Sequence, residues 1–213
     1  MKIIVTGALG HIGSHLIRRL HEAFPKSEII LIDNLLTQRF ASLFKLPSNH
    51  SYKFFSADVR EFDFNKILDN DTFIINLAAI TDAAGSFENS EEVEKNNFDC
   101  TQVLAEAASK SGAKLIHISS TSVYGTQSNL VDETCPDKEL NPQSPYAESK
   151  LREEFLLKQY SNSKNLQFLC FRFGTIYGFS IGMRFHTAVN KFCWQACLGD
   201  ELTVWETAYH QKR

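Results

Sequence analysis

The chain has 213 residues, of which 43% are hydrophobic and 22% are charged, proportions typical of a globular protein of one or two domains. Its net charge of −3 argues against a nucleic-acid-binding surface, which would need a basic face, and no apolar run approaches the ~20 residues of a membrane span. The 5 cysteines are scattered, and no basic-then-apolar leader precedes the first apolar run. We therefore expect a cytoplasmic protein with reduced thiols.

The sequence opens on an apolar run that leads into three glycines and then into a helical pattern. The apolar residues 3–5 predict a strand buried on both faces, as in a parallel sheet. After that strand, Gly7 permits a tight turn, Gly10 leaves room for a pyrophosphate, and Gly13 lets the helix pack close to the strand. The N–H groups at the start of the helix would then face the phosphates of a dinucleotide.

An acidic residue supports this interpretation. The apolar run 28–32 predicts a second strand that ends at Asp33, 20 residues after Gly13. A carboxylate there accepts hydrogen bonds from the ribose hydroxyls of NAD and repels the 2′-phosphate of NADP. A glycine trio alone is weak evidence, because turns use glycine freely. The trio and Asp33 together predict NAD as the cofactor.

The rest of the chain alternates predicted strands and helices. After a mixed, partly helical segment at 35–46, we predict strands over 52–58, 73–79, 115–120 and 166–173, and helices over 62–68, 91–110 and from Pro145 onward, with Ser144 as the N-cap. Repeated βα units predict an α/β fold with a doubly wound parallel sheet, the Rossmann architecture. We assign the NAD-binding Rossmann domain to residues 1–175 and the start of a substrate-binding region to 176–213.

A tyrosine and a lysine share one face of the helix that begins at Pro145, since Tyr146 and Lys150 are at i and i+4. Tyrosine acts as a base near neutral pH only if its pKa of ~10 falls by about 3 units, or roughly 4 kcal/mol. An ammonium at ~4 Å in an effective dielectric of ~20 supplies on the order of 4 kcal/mol, and the charged nicotinamide of NAD⁺ would add to it. Alone, such a pair is usually a solvated helix face. Beside a dinucleotide motif, it indicates a catalytic base and its activator.

Five motifs follow one another along the chain: Thr6-Gly-Ala-Leu-Gly-His-Ile-Gly13, Asp58-Val59, Leu77-Ala-Ala79, Ser119-Ser-Thr-Ser-Val-Tyr-Gly125 and Tyr146-Ala-Glu-Ser-Lys150. In type and order they resemble the extended short-chain dehydrogenases/reductases, the NAD-dependent sugar epimerase/dehydratase family that includes the UDP-glucose/galactose 4-epimerases. The resemblance covers essentially the whole sequence.

The resemblance implies hydride-transfer chemistry with three catalytic residues. Tyr146 removes the proton of a sugar hydroxyl, Lys150 lowers the pKa of Tyr146 and holds the nicotinamide ribose, and Ser120 holds the reacting oxygen. The neighbouring Ser119 and Ser122 are expected to be satisfied by backbone groups.

The glycine motif and the resemblance together give two sets of binding residues. The residues expected to contact the cofactor or to support its site are Gly7, Gly10, His11, Ile12, Gly13, Asp33, Asn34, Asp58, Val59, Leu77, Ala78, Ala79, Asn97, Tyr146, Lys150 and Phe173. The residues expected to contact a nucleotide-sugar substrate, in particular a UDP-sugar, are Ser120, Thr175 and Arg213. Among these, Asn97 matches the structural asparagine that the family has near its active site.

The type of reaction is inferred by excluding the family's enzymes whose additional catalytic residues this chain lacks. The family's 4,6-dehydratases carry an Asp-Glu pair where this chain has Thr121 and Ser122, its decarboxylases carry Glu at the position of Ser122, and its epimerase-reductases carry Cys there. A 4-epimerase needs no further acid or base, so we expect a 4-epimerase. Thr175, at a position where the family often has a substrate-binding Asn, leaves the substrate's identity open. Two alternatives remain: a dehydrogenase of the threonine 3-dehydrogenase type, and a non-catalytic NAD-binding protein.

Three further expectations concern the rest of the chain. His11 and His15 have a zinc-like i, i+4 spacing but no third ligand, so we expect no metal site. Cys193 and Cys197 share a helix face and are predicted to pack in the core. The family's chains run ~100 residues further, the size of a small domain, so we expect the substrate domain to be incomplete, by truncation or natural variation. A homodimer is left open.

Overall fold

The computed structural model describes residues 1–48, 50–81, 90–127 and 130–204. Six parallel strands form one sheet in the order β3-β2-β1-β4-β5-β6. They are β1 (Lys2–Thr6), β2 (Glu28–Asp33), β3 (Tyr52–Ser56), β4 (Thr72–Asn76), β5 (Lys114–Ser120) and β6 (Gln167–Phe173). The order reverses between β1 and β4, which confirms the predicted doubly wound sheet and puts a crevice at the carboxyl ends of these two strands.

Four α-helices accompany the sheet: α1 (His11–Ala23), α2 (Ser90–Ser111), α3 (Pro145–Lys164) and α4 (Ala188–Leu198). One apolar cluster joins alternate strand residues such as Ile4 and Leu115 to α2 and α3. The second cluster joins the opposite strand residues, such as Ile3 and Val5, to Ile17 and its neighbours on α1. The central strands β1 and β2 are therefore buried on both faces, as the uninterrupted apolar sequence of β1 predicts. The edge strand β6 is not, since its Leu169 is 60% exposed and its Phe171 is 45% exposed.

Helix α3 begins where the sequence predicts. The Oγ of Ser144 accepts a hydrogen bond of 3.2 Å from the backbone N–H of Ala147, and Pro145 occupies the first helical turn. At the other end, Asn165 adopts the left-handed conformation (φ 54°) that closes a helix. The Ser144 cap fixes the first turn of α3, which carries Tyr146.

Two strands are shorter than the apolar runs that predicted them. The run 52–58 forms a strand only as far as Ser56, and the run 73–79 only as far as Asn76. Asn76 pairs with Thr6, the last residue of β1, and Ser56 pairs with Asp33, the last residue of β2. Each of these strands ends level with a neighbour on one side, although β5, on the other side of β4, continues to Ser120. The predicted helix at 62–68 is a single 3₁₀ turn, Phe64–Lys66, and the partly helical segment at 35–46 contains the 3₁₀ turn Phe40–Leu43.

The prediction that Cys193 and Cys197 pack in the core is wrong, because both thiols are exposed on α4. Their neighbour Trp194 is 50% exposed, so the apolar residues of this helix do not face a core in the described part of the chain. Residues 202–204 are exposed and have no regular structure, and 205–213 lie outside the described residues. In the described ranges, no helix is both long and apolar enough to cross a membrane.

Candidate active site

A cavity of about 780 Å³ lies at the carboxyl ends of the strands, within the size range of small-molecule sites. A smaller pocket of about 110 Å³ continues it along the ends of β2 and β3, and the two share Gly7, Gly10, Arg39, Leu77 and Ala79. Together they form one groove. The predicted residues that line the cavity are Gly7, Gly10, His11, Ile12, Gly13, Leu77, Ala79, Ser120, Tyr146, Lys150, Phe173 and Thr175. Those that line the smaller pocket include Asp33, Asn34, Asp58, Val59 and Ala78.

The glycines at the edge of the groove leave no room for side chains at two positions. Gly7 has φ +61°, and a Cβ there would lie 2.6 Å from the carbonyl carbon and oxygen of Leu77. A Cβ on Gly13 would lie 2.6 Å from the carbonyl oxygens of Gly7 and Ala8. The turn therefore packs directly against β4, and α1 packs directly against the turn, as predicted. The N-terminus of α1 faces the cavity, where its N–H groups favour an anion.

At the other end of the groove, the carboxylate of Asp33 is held by backbone N–H groups. Its Oδ2 accepts from Leu9 at 3.0 Å and its Oδ1 accepts from Leu35 at 2.9 Å. Each oxygen keeps a lone pair for a ribose hydroxyl. Nearby, Arg60 donates two side-chain hydrogen bonds, of 2.8 and 2.7 Å, to Asp58. These bonds are the main cause that lowers the pKa of Asp58 to about 2, so Asp58 is a carboxylate at neutral pH.

Tyr146 and Lys150 both line the cavity from the first turns of α3. Lys150 is 3% exposed, and its Nζ donates a 3.0 Å hydrogen bond to Oε2 of Glu153, one turn further along the helix. Burial alone would lower the pKa of Lys150. The negative charges of Glu153 and of an ionised Tyr146 outweigh burial and raise the pKa above its ordinary value, so Lys150 is an ammonium at neutral pH.

Ser120 closes the same wall of the cavity from the end of β5. Its Oγ accepts hydrogen bonds from the backbone N–H of Ser122 at 3.1 Å and from the Oγ of Ser122 at 2.8 Å. A hydroxyl has two lone pairs and one proton, so these two bonds leave the O–H of Ser120 to donate into the cavity. The expectation that Ser122 is satisfied by backbone groups is wrong, because its hydroxyl donates to Ser120.

Beneath Ser120, two buried charges join three elements. Arg172 on β6 donates to both oxygens of Glu154 on α3, with Nε–Oε1 at 3.0 Å and Nη2–Oε2 at 2.7 Å. Ser119 on β5 donates to Oε1 of the same carboxylate at 2.5 Å, so its partner is also a side chain rather than a backbone group. The guanidinium of Arg172 lies over the ring of Tyr124, 4.8 Å from its centroid. This cluster fixes the strand end that presents Ser120.

Two predicted residues are not among those that line the groove, and a third, His11, lines it while its ring contacts a backbone carbonyl. Asn97 is fully buried and lines neither pocket; its amide donates to the carbonyl of Ile80 at 2.9 Å and accepts from the N–H of Ile80 at 2.8 Å, which holds the chain after β4. Arg213 lies outside the described residues. Nε2 of His11 is 3.0 Å from the carbonyl oxygen of Gly178, while His15 is exposed, and the described residues contain no group of three potential metal ligands.

Sequence reasoning missed several residues of the site. Arg39, Thr81, Arg184, His186 and Lys191 line the cavity. They lie in irregular segments or on α4, where no periodic pattern or motif marks them. Buried Glu153 and Glu154 were also missed.

The fold and the groove, with its glycine turn, Tyr–Lys pair and serine hydroxyl, are those of a dinucleotide-dependent enzyme of the Rossmann class. The chain belongs to the NAD dependent epimerase/dehydratase family, whose model matches residues 3–212. Among its relatives is a trifunctional UDP-glucose 4,6-dehydratase/UDP-4-keto-6-deoxy-D-glucose 3,5-epimerase/UDP-4-keto-L-rhamnose-reductase of Arabidopsis thaliana, 35% identical over 185 residues, which are 83% of this chain and 27% of the relative. A UDP-glucose 4-epimerase of Streptococcus mutans is 29% identical over 84% of this chain and 53% of its own.

Among solved structures, a UDP-glucuronic acid 4-epimerase from Bacillus cereus, in complex with UDP-glucuronic acid and NAD, superposes with a TM-score of 0.85. It is 31% identical, and the match covers 96% of this chain and 66% of that one. The chain thus spans about a quarter to a half of the length of these two curated relatives and about two thirds of this structure. The family includes both isomerases and lyases.

The residues present fit NAD. A Cβ on Gly10 would lie 3.3 Å from the carbonyl oxygen of Gly7. Because Gly10 has no Cβ, this space beside the N-terminus of α1 is open and suits a pyrophosphate. Asp33 retains acceptor capacity for the adenosine ribose, and the ammonium of Lys150 lies at the opposite end of the groove.

Proposed function

We propose that this chain carries an NAD-dependent nucleotide-sugar 4-epimerase that acts on a UDP-type sugar. The observation that carries the proposal is the chemistry of the cavity wall. Among the described residues that line it there are a Tyr–Lys pair and a row of hydroxyls, but no Asp or Glu. A 4-epimerase needs no carboxylic acid, since the keto sugar turns over in the pocket and is reduced from its other face. A 4,6-dehydratase must also expel a hydroxyl group and needs proton carriers for that step.

Each residue of the wall has a role in this reaction. Bound NAD supplies the hydride acceptor and later the hydride donor. Tyr146 takes the proton of the sugar's 4-hydroxyl and returns it at the end of the cycle. Lys150 stabilises the tyrosinate and holds the nicotinamide ribose, and the O–H of Ser120 donates to the reacting oxygen. Asp33 selects NAD over NADP at the other end of the groove.

A nucleotide sugar carries a diphosphate, and the cavity suits an anion. Arg184 and Lys191 both line it with basic side chains. Thr175, also in the lining, and Arg213 are the further substrate contacts that we propose from the family resemblance. We propose uridine as the nucleoside of the substrate by analogy with relatives such as the Bacillus cereus epimerase, whose structure holds UDP-glucuronic acid.

The test is an assay with NAD and UDP-glucose, UDP-galactose or UDP-glucuronic acid, in which products are separated by chromatography. The expected product is the 4-epimer, reached from either side of the equilibrium, with no net NADH. A 4-keto-6-deoxy sugar would assign the chain to the dehydratases instead. Steady NADH accumulation with threonine would favour the dehydrogenase alternative. NAD binding without any product would contradict catalysis by this chain.

A further inference from the structure

Glu153 is a fully buried carboxylate directly beneath the catalytic wall. It is 0% exposed, and it does not line the cavity. Its Oε2 accepts from Nζ of Lys150 at 3.0 Å and from Oγ1 of Thr101 on α2 at 2.8 Å, and its Oε1 accepts from the hydroxyl of Ser149 at 3.2 Å. Three donors on two oxygens fit an ionised carboxylate, which only accepts hydrogen bonds. The proposed reaction gives this group no direct role.

The surroundings of Lys150 make an ammonium there costly without a partner. Burial disfavours the charged form of an amine, and Lys150 is enclosed by α3, β5 and β6. The titratable and charged groups that face the Lys150–Glu153 pair are Tyr146 and Glu154 on α3, His117 on β5, Cys170 and Arg172 on β6, and Cys100 on α2.

None of these other groups replaces Glu153 as the counter-charge at neutral pH. Glu154 is already paired with Arg172, and burial raises the pKa values of the Cys100 and Cys170 thiols to about 12, so both are neutral. Tyr146 gives up and regains its proton in the proposed reaction, so it is not a fixed counter-charge.

His117 is also neutral. Burial and then the charge of Lys150 lower its pKa well below the ordinary value. Its Nε2 lies 3.3 Å from Oε2 of Glu153 but without hydrogen-bond alignment. Its Nδ1 lies 3.4 Å from the amide nitrogen of Asn76; if that amide donates, Nδ1 is the acceptor and Nε2 carries the proton. In the described part of the site, Glu153 is therefore the carboxylate that balances Lys150.

We propose that Glu153 is a positioning residue that keeps Lys150 protonated and its ammonium fixed at the floor of the cavity. Without this carboxylate, burial would favour the neutral amine, and Lys150 would give less support to the ionisation of Tyr146. The inference rests on the proposed function, because it concerns the Tyr–Lys pair through which that function works. It extends the catalytic group by a residue one helical turn away, which touches neither cofactor nor substrate.

The expected effect follows from the Nζ–Oε2 distance. Two unit charges 3–4 Å apart in an effective dielectric of ~20 interact strongly enough to shift a pKa by about 3 units. In Glu153→Gln, the pKa of Lys150 should fall by about that amount, because burial then acts without this counter-charge. Glu153→Asp keeps the negative charge but moves it away from Lys150 by about the length of one methylene group, so the pKa of Lys150 should fall by about 1 unit.

The experiment is an NMR titration of the chain labelled with ¹³C at the lysine Cε, whose chemical shift reports protonation of the neighbouring amine. The Lys150 signal is the one that disappears in Lys150→Met. Glu154→Gln is the matched control, since it removes an equally buried carboxylate from the next position of the same helix. There the pKa of Lys150 should change by less than 1 unit, because Glu154 pairs with Arg172.

Support requires the pKa of Lys150 to fall in the order wild type, Glu153→Asp, Glu153→Gln. The proposal would be overturned if the pKa of Lys150 stayed within 0.5 unit of wild type in both Glu153 variants, which is about half the fall expected for Glu153→Asp. It would also be overturned if the pKa fell equally in Glu154→Gln. If Glu153→Gln does not fold, Glu153→Asp decides by the same criterion. The titration needs no substrate, so failed epimerisation with a normal titration would count against the proposed function alone.

Discussion

The Arg172–Glu154 pair should contribute to stability because the carboxylate is buried and the guanidinium is mostly shielded from water. The side chain of Arg172 is 16% exposed and that of Glu154 is 5% exposed, and two parallel hydrogen bonds join them. Removing one partner of a buried pair leaves an unpaired charge and costs about 3–5 kcal/mol. Since Arg172 keeps some contact with water, we expect Arg172→Met to lower the free energy of unfolding by about 3 kcal/mol. With an m-value of ~2 kcal/mol/M, the urea midpoint would fall by about 1.5 M.

The assay is urea unfolding of Arg172→Met, Glu154→Gln and the double variant, followed by circular dichroism. The double variant buries no unpaired charge, so it should recover at least half of the stability that either single variant loses. This cycle separates the penalty of an orphaned charge from the net contribution of the pair. Single variants that lose less than about 1 kcal/mol, or a double variant that loses the sum of both, would refute the reasoning.

Two predictions concern the dinucleotide end of the groove. Gly7→Ala should destabilise the fold by at least ~2 kcal/mol in thermal unfolding, because a left-handed φ and a 2.6 Å contact with Leu77 combine. The control Gly199→Ala has φ +76° but open space around the added Cβ, so it should cost only about 1 kcal/mol. Equal losses in the two variants would contradict the close packing at Gly7. Asp33→Ala should weaken NAD binding in calorimetry by about tenfold, the loss of one or two hydrogen bonds, and relax the preference over NADP; an unchanged preference ratio would show that Asp33 only caps the turn.

The sheet and the dinucleotide cradle were predictable because their signals are local. An apolar run followed by Gly7, Gly10 and Gly13 specifies a strand, a turn and a helix within a few residues. Strand ends were less predictable, because they depend on the partner strand. The apolar residues 77–79 continue the pattern of β4, but β1 has already ended at Thr6, so they line the groove instead.

The charged groups around the site had no such local signal. Glu153 contacts Thr101, 52 residues away, and Glu154 contacts Ser119, 35 residues away. Only the packing of α2 and β5 against α3 turns two adjacent glutamates, which would ordinarily be solvated, into buried partners of site residues. The opposite error occurred on α4, where the apolar neighbours of Cys193 suggested a core that the described structure does not contain.

The pair Ser120–Ser122 leads to a final prediction about how one hydroxyl is oriented. Ser122 donates both its N–H and its O–H to Oγ of Ser120, so the proton of Ser120 is directed toward the cavity. Ser122→Ala removes one of these two bonds and lets the Ser120 hydroxyl rotate. A hydrogen bond of about 0.5–1.5 kcal/mol corresponds to a loss of roughly 2–10-fold in kcat.

Ser120→Ala removes the donor itself and should cost about 100-fold or more, as for other donors to a reacting oxygen. Thr121→Ala is the control, because Thr121 lines the same wall without a hydrogen bond to Ser120 in the described structure. The measurement is steady-state epimerisation with each variant, with NAD affinity determined separately. If kcat falls by the same small factor in Ser122→Ala and Thr121→Ala, the losses come from the smaller side chains and not from the orientation of the Ser120 hydroxyl. A graded loss at unchanged NAD affinity, largest for Ser120→Ala, smaller for Ser122→Ala and absent for Thr121→Ala, would support an oriented Ser120 hydroxyl, because Thr121→Ala removes a hydroxyl from the same wall without touching Ser120.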